Sequence, residues 1–161
     1  MGTGIRQPRR PAPDAWRLAN AGRVLGDAVT RFESRVLELM ASAGHAETRL
    51  SHVNLTRHLD LGGTRITELA RRARMTNAAM TELIDQCEAL GLVVREVDPS
   101  DKRARTVHFT DAGREWLTAF GQAVKKAERE LLKEIGPEAA QVLLQGLARY
   151  AGTVESIRAT G

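Results

Sequence analysis

Between Ile66 and Gly113 the chain reads ITELARRARMTNAAMTELIDQCEALGLVVREVDPSDKRARTVHFTDAG. Two helical patterns joined by a tight turn come first. Thr67 is placed to cap a helix whose Leu69, Ala70 and Ala73 face inward. Met75 ends the turn, and Thr76 is placed to cap a second helix. That helix carries Met80, Leu83, Ile84, Cys87 and Leu90 on one face. Gly91 stands at its expected stop. Leu92 to Val97 and Arg105 to Thr110 are rich in strand formers. Val107 and Phe109 alternate with Thr106 and His108, which is the period of a half-buried strand. Asp98-Pro99-Ser100-Asp101-Lys102 between them is turn chemistry. Helix, turn, helix, strand, charged tip and strand, in that order, predict a winged helix-turn-helix spanning residues 50–110.

Long amphipathic helices are expected on either side. Asp14 is placed to cap a helix reaching about Ala43, with Leu18, Ala21, Leu25, Ala28, Phe32 and Leu39 along a stripe and Val29, Val36 and Met40 beside it. A helix of that length needs something to bury against. A shorter one from about Ser51 to Leu59 closes at Leu61-Gly62-Gly63, and Arg65 and Ile66 suit one short strand. Thr110 caps a helix running to about Ile135 with Trp116, Leu117, Phe120, Val124, Ala127 and Leu131 on its stripe. Gly136-Pro137 breaks the chain. The last helix places Leu143, Leu147, Tyr150, Val154 and Ile157 in the alternating four- and three-residue steps of a coiled-coil seam.

Composition narrows the class. The chain has 161 residues, enough for one domain with a real core. Its aromatic residues are Trp16, Phe32, Phe109, Trp116, Phe120 and Tyr150, so aliphatic side chains must fill the core. A net charge of +4 permits a nucleic-acid partner without establishing one. Cys87 is the single cysteine, which excludes an internal disulfide and suits a reducing, cytoplasmic setting. No apolar run approaches the roughly 20 residues that cross a bilayer. Residues 1–13 (MGTGIRQPRRPAP) lack the apolar core of a secretory signal and read as a flexible basic tail.

The helix pair and the hairpin are the candidate contact surfaces. The second helix of a helix-turn-helix enters the major groove with its exposed N-terminal residues at base edges. Here those are Asn77, Ala78 and Thr81. Asn77 suits an adenine edge, and Ala78 and Thr81 suit a thymine methyl. Arg71, Arg72 and Arg74 on and after the preceding helix suit phosphates. Lys102, Arg103 and Arg105 extend from the hairpin, and a narrow minor groove attracts an inserted arginine. Asp101 is spaced to hold the Arg103 guanidinium. Net charge does not make this argument. From Arg65 to Arg105 the basic residues are Arg65, Arg71, Arg72, Arg74, Arg95, Lys102, Arg103 and Arg105. The acidic ones are Glu68, Glu82, Asp85, Glu88, Glu96, Asp98 and Asp101. The case rests on placement.

The stretch DPSDKRARTVHFTDAG resembles the wing signature of the MarR family of bacterial transcription regulators. Asp98, Asp101, Arg103, Phe109, Thr110 and Gly113 match its spacing. Cys87, Gly91, Leu92, Val93 and Arg95 match the exit from the family's second helix, with Cys87 where leucine is usual. The resemblance implies a mainly α fold with a small β-hairpin wing: a winged helix-turn-helix plus a helical dimerisation region. Residues 14–161 would form a single MarR-like domain, with dimerisation helices at 14–43 and 111–161. It further implies a homodimer on double-stranded DNA at a pseudo-palindromic operator, and a repressor relieved by a small-molecule effector. Arg103 would enter the minor groove. Glu82 and Gln86 depart from the family, standing where many members have basic residues.

The effector pocket has no motif, so no residue carries over, and His52 and Thr56 are only candidates. Cys87 lies on an apolar face and reads as core. His45, Glu47, His52 and His58 cluster in sequence without an i,i+4 pair on one helix face, so no metal or other cofactor is expected. No G-x-S-x-G, P-loop, G-x-G-x-x-G or paired-carboxylate arrangement points to an enzyme. The alternative function is a winged-helix protein-interaction module with weak or no DNA binding, motivated by Glu82, Asp85 and Gln86.

Overall fold

The computed structural model of the chain describes residues 14–153. The basic tail expected at residues 1–13 and the seam positions Val154 and Ile157 lie outside the described residues. Two compact units are distinguished, Met1–Ser34 and Arg35–Gly161. The first holds a 3-10 turn at Ala15–Arg17, and helix α1 (Ala21–Ser42) begins in the first unit and ends in the second. The expected cap at Asp14 is not made, because its side chain accepts no capping bond. Asn20 takes that role. Its Oδ1 accepts the Arg23 N–H at 3.0 Å and its Nδ2 donates to the Trp16 carbonyl at 2.9 Å. An asparagine can satisfy both the incoming turn and the new helix, so α1 begins at Ala21. Of the predicted stripe, Val36, Leu39 and Met40 are buried, while Leu18 and Val29 are exposed.

The second unit holds α2 (Leu50–His58), β1 (Thr64–Arg65), α3 (Ile66–Ala73), α4 (Asn77–Ala89), β2 (Val93–Asp98), β3 (Asp101–Phe109), α5 (Asp111–Ile135) and α6 (Pro137–Ala151). The strands form one antiparallel sheet in the order β1-β3-β2. Thr64 pairs with Val107, and Val93 with Phe109. Val93, Val107 and Phe109 point inward, as the alternation predicts. They meet Leu69 and Ala70 of α3 and Met80, Leu83, Ile84 and Cys87 of α4 in a core that α2 extends through Val53 and Leu55. Leu90 was expected in this core but is 38% exposed. It follows the last residue of α4 and so has left the helical period. Thr67 does not cap α3. Thr64 is fastened to Asp60 by its hydroxyl, and the chain turns directly from strand to helix at Arg65.

The joint between wing and long helix rests on Thr110 and Gly113. Thr110 Oγ1 accepts the Gly113 N–H at 2.9 Å, which caps α5, and donates to the Gly91 carbonyl. The Thr110 N–H donates to the Leu92 carbonyl at 3.1 Å. A Cβ on Gly113 would stand 1.9 Å from that same carbonyl oxygen. The glycine is required by space: the first turn of α5 lies against the backbone leaving α4. Farther along α5, Trp116 donates from Nε1 to Thr48 Oγ1 at 3.0 Å and stacks on Phe120 with centroids 5.2 Å apart. We expect Gly113→Ala to lose about 1–3 kcal/mol of stability through overpacking, read as a lower urea midpoint. An unchanged midpoint would contradict this packing.

Candidate nucleic-acid interface

The turn of the helix-turn-helix is made by Arg74, Met75 and Thr76. Arg74 is in the left-handed region, with φ 54° and ψ 41°. Its N–H donates back to the Ala70 carbonyl, which closes α3. That conformation costs an L-residue about 1 kcal/mol relative to glycine. The arginine side chain is exposed there, with no ion pair among the described residues. Thr76 then caps α4 as predicted, accepting the Ala79 N–H at 3.1 Å. Burial of Met80, Leu83, Ile84 and Cys87 turns the opposite face of α4 outward. Asn77 and Ala78 are exposed on that face and Thr81 is half-buried.

The arginines of α3 expected at phosphates are ion-paired within the chain. Arg71 forks onto Glu68 with bonds of 2.8 and 2.6 Å. Arg72 donates to Glu68 at 2.8 Å, to the His58 carbonyl at 3.0 Å and to Asp60 at 2.9 Å. Arg72 therefore ties α3 to the end of α2 and is a structural tie in this chain. Arg71, which stays exposed, is already paired. Their bonds, Arg71 first, hold the Glu68 carboxyl down at about 2. A Glu at i−3 and i−4 is the sequence signal for this pairing.

A second set of pairs removes acidity from α4. Arg95 on β2 donates its backbone N–H to Glu88 at 2.8 Å and its Nε to the same carboxylate at 2.9 Å. Its Nη2 reaches Asp85 as well. Two carboxylates of α4 are thus held by a strand of the wing, which braces the helix against the sheet. The bonds to Arg95 lower the Glu88 carboxyl below its usual range.

The wing closes on Asp98, a residue absent from the sites expected from sequence. Its carboxylate accepts from the Ser100 N–H at 2.8 Å, the Ser100 hydroxyl at 2.6 Å and Arg65 Nε at 2.7 Å. Asp98 is only 6% exposed. An Asp two residues before a Ser was a readable sign of the turn. Nothing in sequence announced Arg65 as the third partner. The bonds from Ser100, then Arg65, hold the Asp98 carboxyl well below its usual range.

Beyond Asp98 the ladder is irregular. Val97 pairs with Arg105, yet the next residue, Asp98, pairs with Asp101. Lys102, Arg103 and Ala104 therefore bulge out of the ribbon with no partners on β2. Arg105 folds back on the bulge, donating to the Lys102 carbonyl at 3.2 Å and the Ala104 carbonyl at 3.3 Å. Asp101 was expected to grip the Arg103 guanidinium. It instead accepts the Arg103 backbone N–H at 3.0 Å. The carboxylate sets the backbone of the bulge and leaves the guanidinium exposed. Neither Lys102 nor Arg103 has an ion pair among the described residues.

Other candidates are committed locally. His52 is buried in α2, where its Nδ1 accepts the Arg49 N–H at 3.2 Å. Burial, then the nearby Arg49 charge, lowers its pKa. Thr56 donates its hydroxyl to the His52 and Val53 carbonyls. Burial pushes the Cys87 thiol up to about 11, which keeps it protonated and unreactive. Among the described residues no three His, Cys, Asp or Glu side chains are placed to hold a metal ion. No described helix is long and apolar enough to cross a membrane.

The family model described as "MarR family" matches residues 53–104, from α2 to the bulge of the wing. The HTH-type transcriptional regulator YdgJ of Bacillus subtilis is 27% identical over 144 residues, which is 89% of this chain and 80% of that protein. The chain is similar to regulators of the MarR family, and the family model covers its winged helix-turn-helix. It shares the MarR fold with the repressor CouR, solved on a 23-mer DNA duplex, at a TM-score of 0.67 and 24% identity over 88% of this chain and 99% of that one. It also shares that fold with Sco3205 from Streptomyces coelicolor, a MarR-family regulator solved in complex with DNA. The TM-score is 0.62 and the identity 24%, over 89% of this chain and 90% of that one.

Asp98→Asn keeps the size of the wing anchor and removes its charge. The native carboxyl titrates below its ordinary value of 3.8, so its contribution to stability is complete above that value and fades as pH falls below it. The variant should show a lower urea midpoint at pH 7. The gap from wild type should stay constant down to about pH 5 and narrow below pH 4. Equal midpoints at pH 7 would show that the carboxylate does not anchor the wing.

Proposed function

We infer that the chain is a sequence-specific DNA-binding regulator that acts in the cytoplasm as a homodimer and represses until a small molecule relieves it. The observation that carries this reading is the wing. Arg103 stands exposed and without an ion pair on a bulge whose backbone is set by Asp101 and whose base is anchored by Asp98. An arginine so presented suits a narrow minor groove. The open face of α4, with Asn77, Ala78 and Thr81, suits base edges of the major groove. Arg74 and Lys102 suit phosphates, and Arg71 joins them if its carboxylate partner yields.

A second copy is supported by what the helices leave uncovered. On α5 and α6, Leu132, Ile135, Leu143 and Leu144 are exposed, Val142 is 70% exposed and Tyr150 is 87% exposed. A single copy does not bury these side chains. Two copies joined there would present two winged domains to the half-sites of a pseudo-palindrome. A ligand that binds one dimer geometry better than another would change their spacing and release the DNA. The rival reading, a protein-interaction module without DNA binding, loses one of its three motives. Asp85 is not a free acidic residue but a partner of Arg95.

Arg103→Ala should weaken operator binding by about 1–3 kcal/mol and reduce the salt slope of binding by about 1 per site. Sedimentation should show the dimer intact. Unchanged affinity in a gel-shift series would sink the assignment of the wing.

A further inference from the structure

The acidic residues of α4 were a difficulty for a helix meant to lie against DNA. The structure divides them. Glu88 and Asp85 are held by Arg95 on β2, through its backbone N–H, its Nε and its Nη2. Glu82 is exposed and has no cation partner among the described residues. Its position is not incidental. Successive residues of a helix are offset by about 100°, so Ala78, Thr81, Glu82 and Asp85 form one outward stripe, opposite buried Met80, Leu83, Ile84 and Cys87. Glu82 sits one helical turn, about 6 Å, beyond Ala78. A carboxylate kept there and left unpaired must face whatever α4 faces.

An ionised carboxylate only accepts hydrogen bonds. In the major groove, guanine offers acceptors at N7 and O6, and thymine offers an acceptor at O4 and a methyl group. Both are repelled or left unsatisfied. Adenine has a donor at N6 but an acceptor at N7 beside it. Cytosine presents its N4 amino donor with no such neighbour, and carboxylates accept from it. We propose that Glu82 is a specificity-determining residue that reads a cytosine amino group in each half-site. It disfavours other bases at that position and lowers non-specific affinity by repelling phosphates. This rests on the reading of the chain as a DNA-binding dimer and names part of the sequence that such a dimer takes.

The test is selection from randomised duplexes with full-length wild type and with Glu82→Gln. Glutamine keeps the length of the side chain and pairs with adenine N6 and N7. Wild type should select one fixed C·G pair in each half-site. Glu82→Gln should select A·T there, leave the other positions unchanged and bind the wild-type operator about tenfold more weakly. Glu82 is exposed, so the substitution does not disturb the core. If Glu82→Gln binds all duplexes more tightly without moving any base preference, the residue only repels DNA and the proposal fails while the DNA-binding reading stands. If wild type selects no sequence, both fail.

Discussion

Asp98 anchors the base of the wing. Its carboxylate takes a backbone N–H, a hydroxyl and a guanidinium into one nearly buried site. Those bonds join the hairpin turn to Arg65, which ends β1 and immediately precedes α3. The wing is therefore tied to the first helix of the helix-turn-helix as well as to its own sheet. The bulge that follows exists because the ladder resumes at Asp98 and Asp101 after three unpaired residues. A bulge on a loose hairpin would present Arg103 in many directions. On this anchor its backbone N–H is held by Asp101.

The ion pairs decide which charges of an almost balanced stretch stay free. Glu68 is taken by Arg71 and Arg72, Asp60 by Arg72, Glu88 and Asp85 by Arg95, and Asp98 by Arg65. These pairs are mostly at the surface and each contributes little to stability by itself. Their larger effect is on what remains. Arg74, Lys102 and Arg103 have no partner of opposite charge among the described residues, and Glu82 is the unpaired carboxylate of α4. Balanced composition thus becomes a pattern: unpaired cations at the turn and wing, with the exposed carboxylates of Glu82, Glu96 and Asp101 outside these pairs.

Much of this was legible in sequence because it depends on neighbours. Caps at Thr76 and Thr110, the stop at Gly91, the buried face of α4 and the inward strand residues follow from local periodicity and capping. The errors have the same origin. Asp14 looked like a cap, but Asn20, with two functional ends, serves the turn before α1 and α1 itself. Glu68 stands at helical spacing from Arg71 and Arg72, a local signal for the pairs they form. Asp101 does not grip the Arg103 guanidinium, because the short aspartate reaches a backbone N–H first. The Arg65–Asp98 bond and the Arg95 brace were hidden for another reason: their partners are joined by folding, and no spacing rule reaches them.

On the proposed function, these unpaired cations meet phosphates. The direct measurement is the affinity of the full-length protein for its duplex operator across a series of salt concentrations. Two copies each offering Arg74, Lys102 and Arg103 should give a plot of log affinity against log salt with a slope of about −5 or steeper. A slope near zero would contradict it and leave the winged fold with some partner other than DNA.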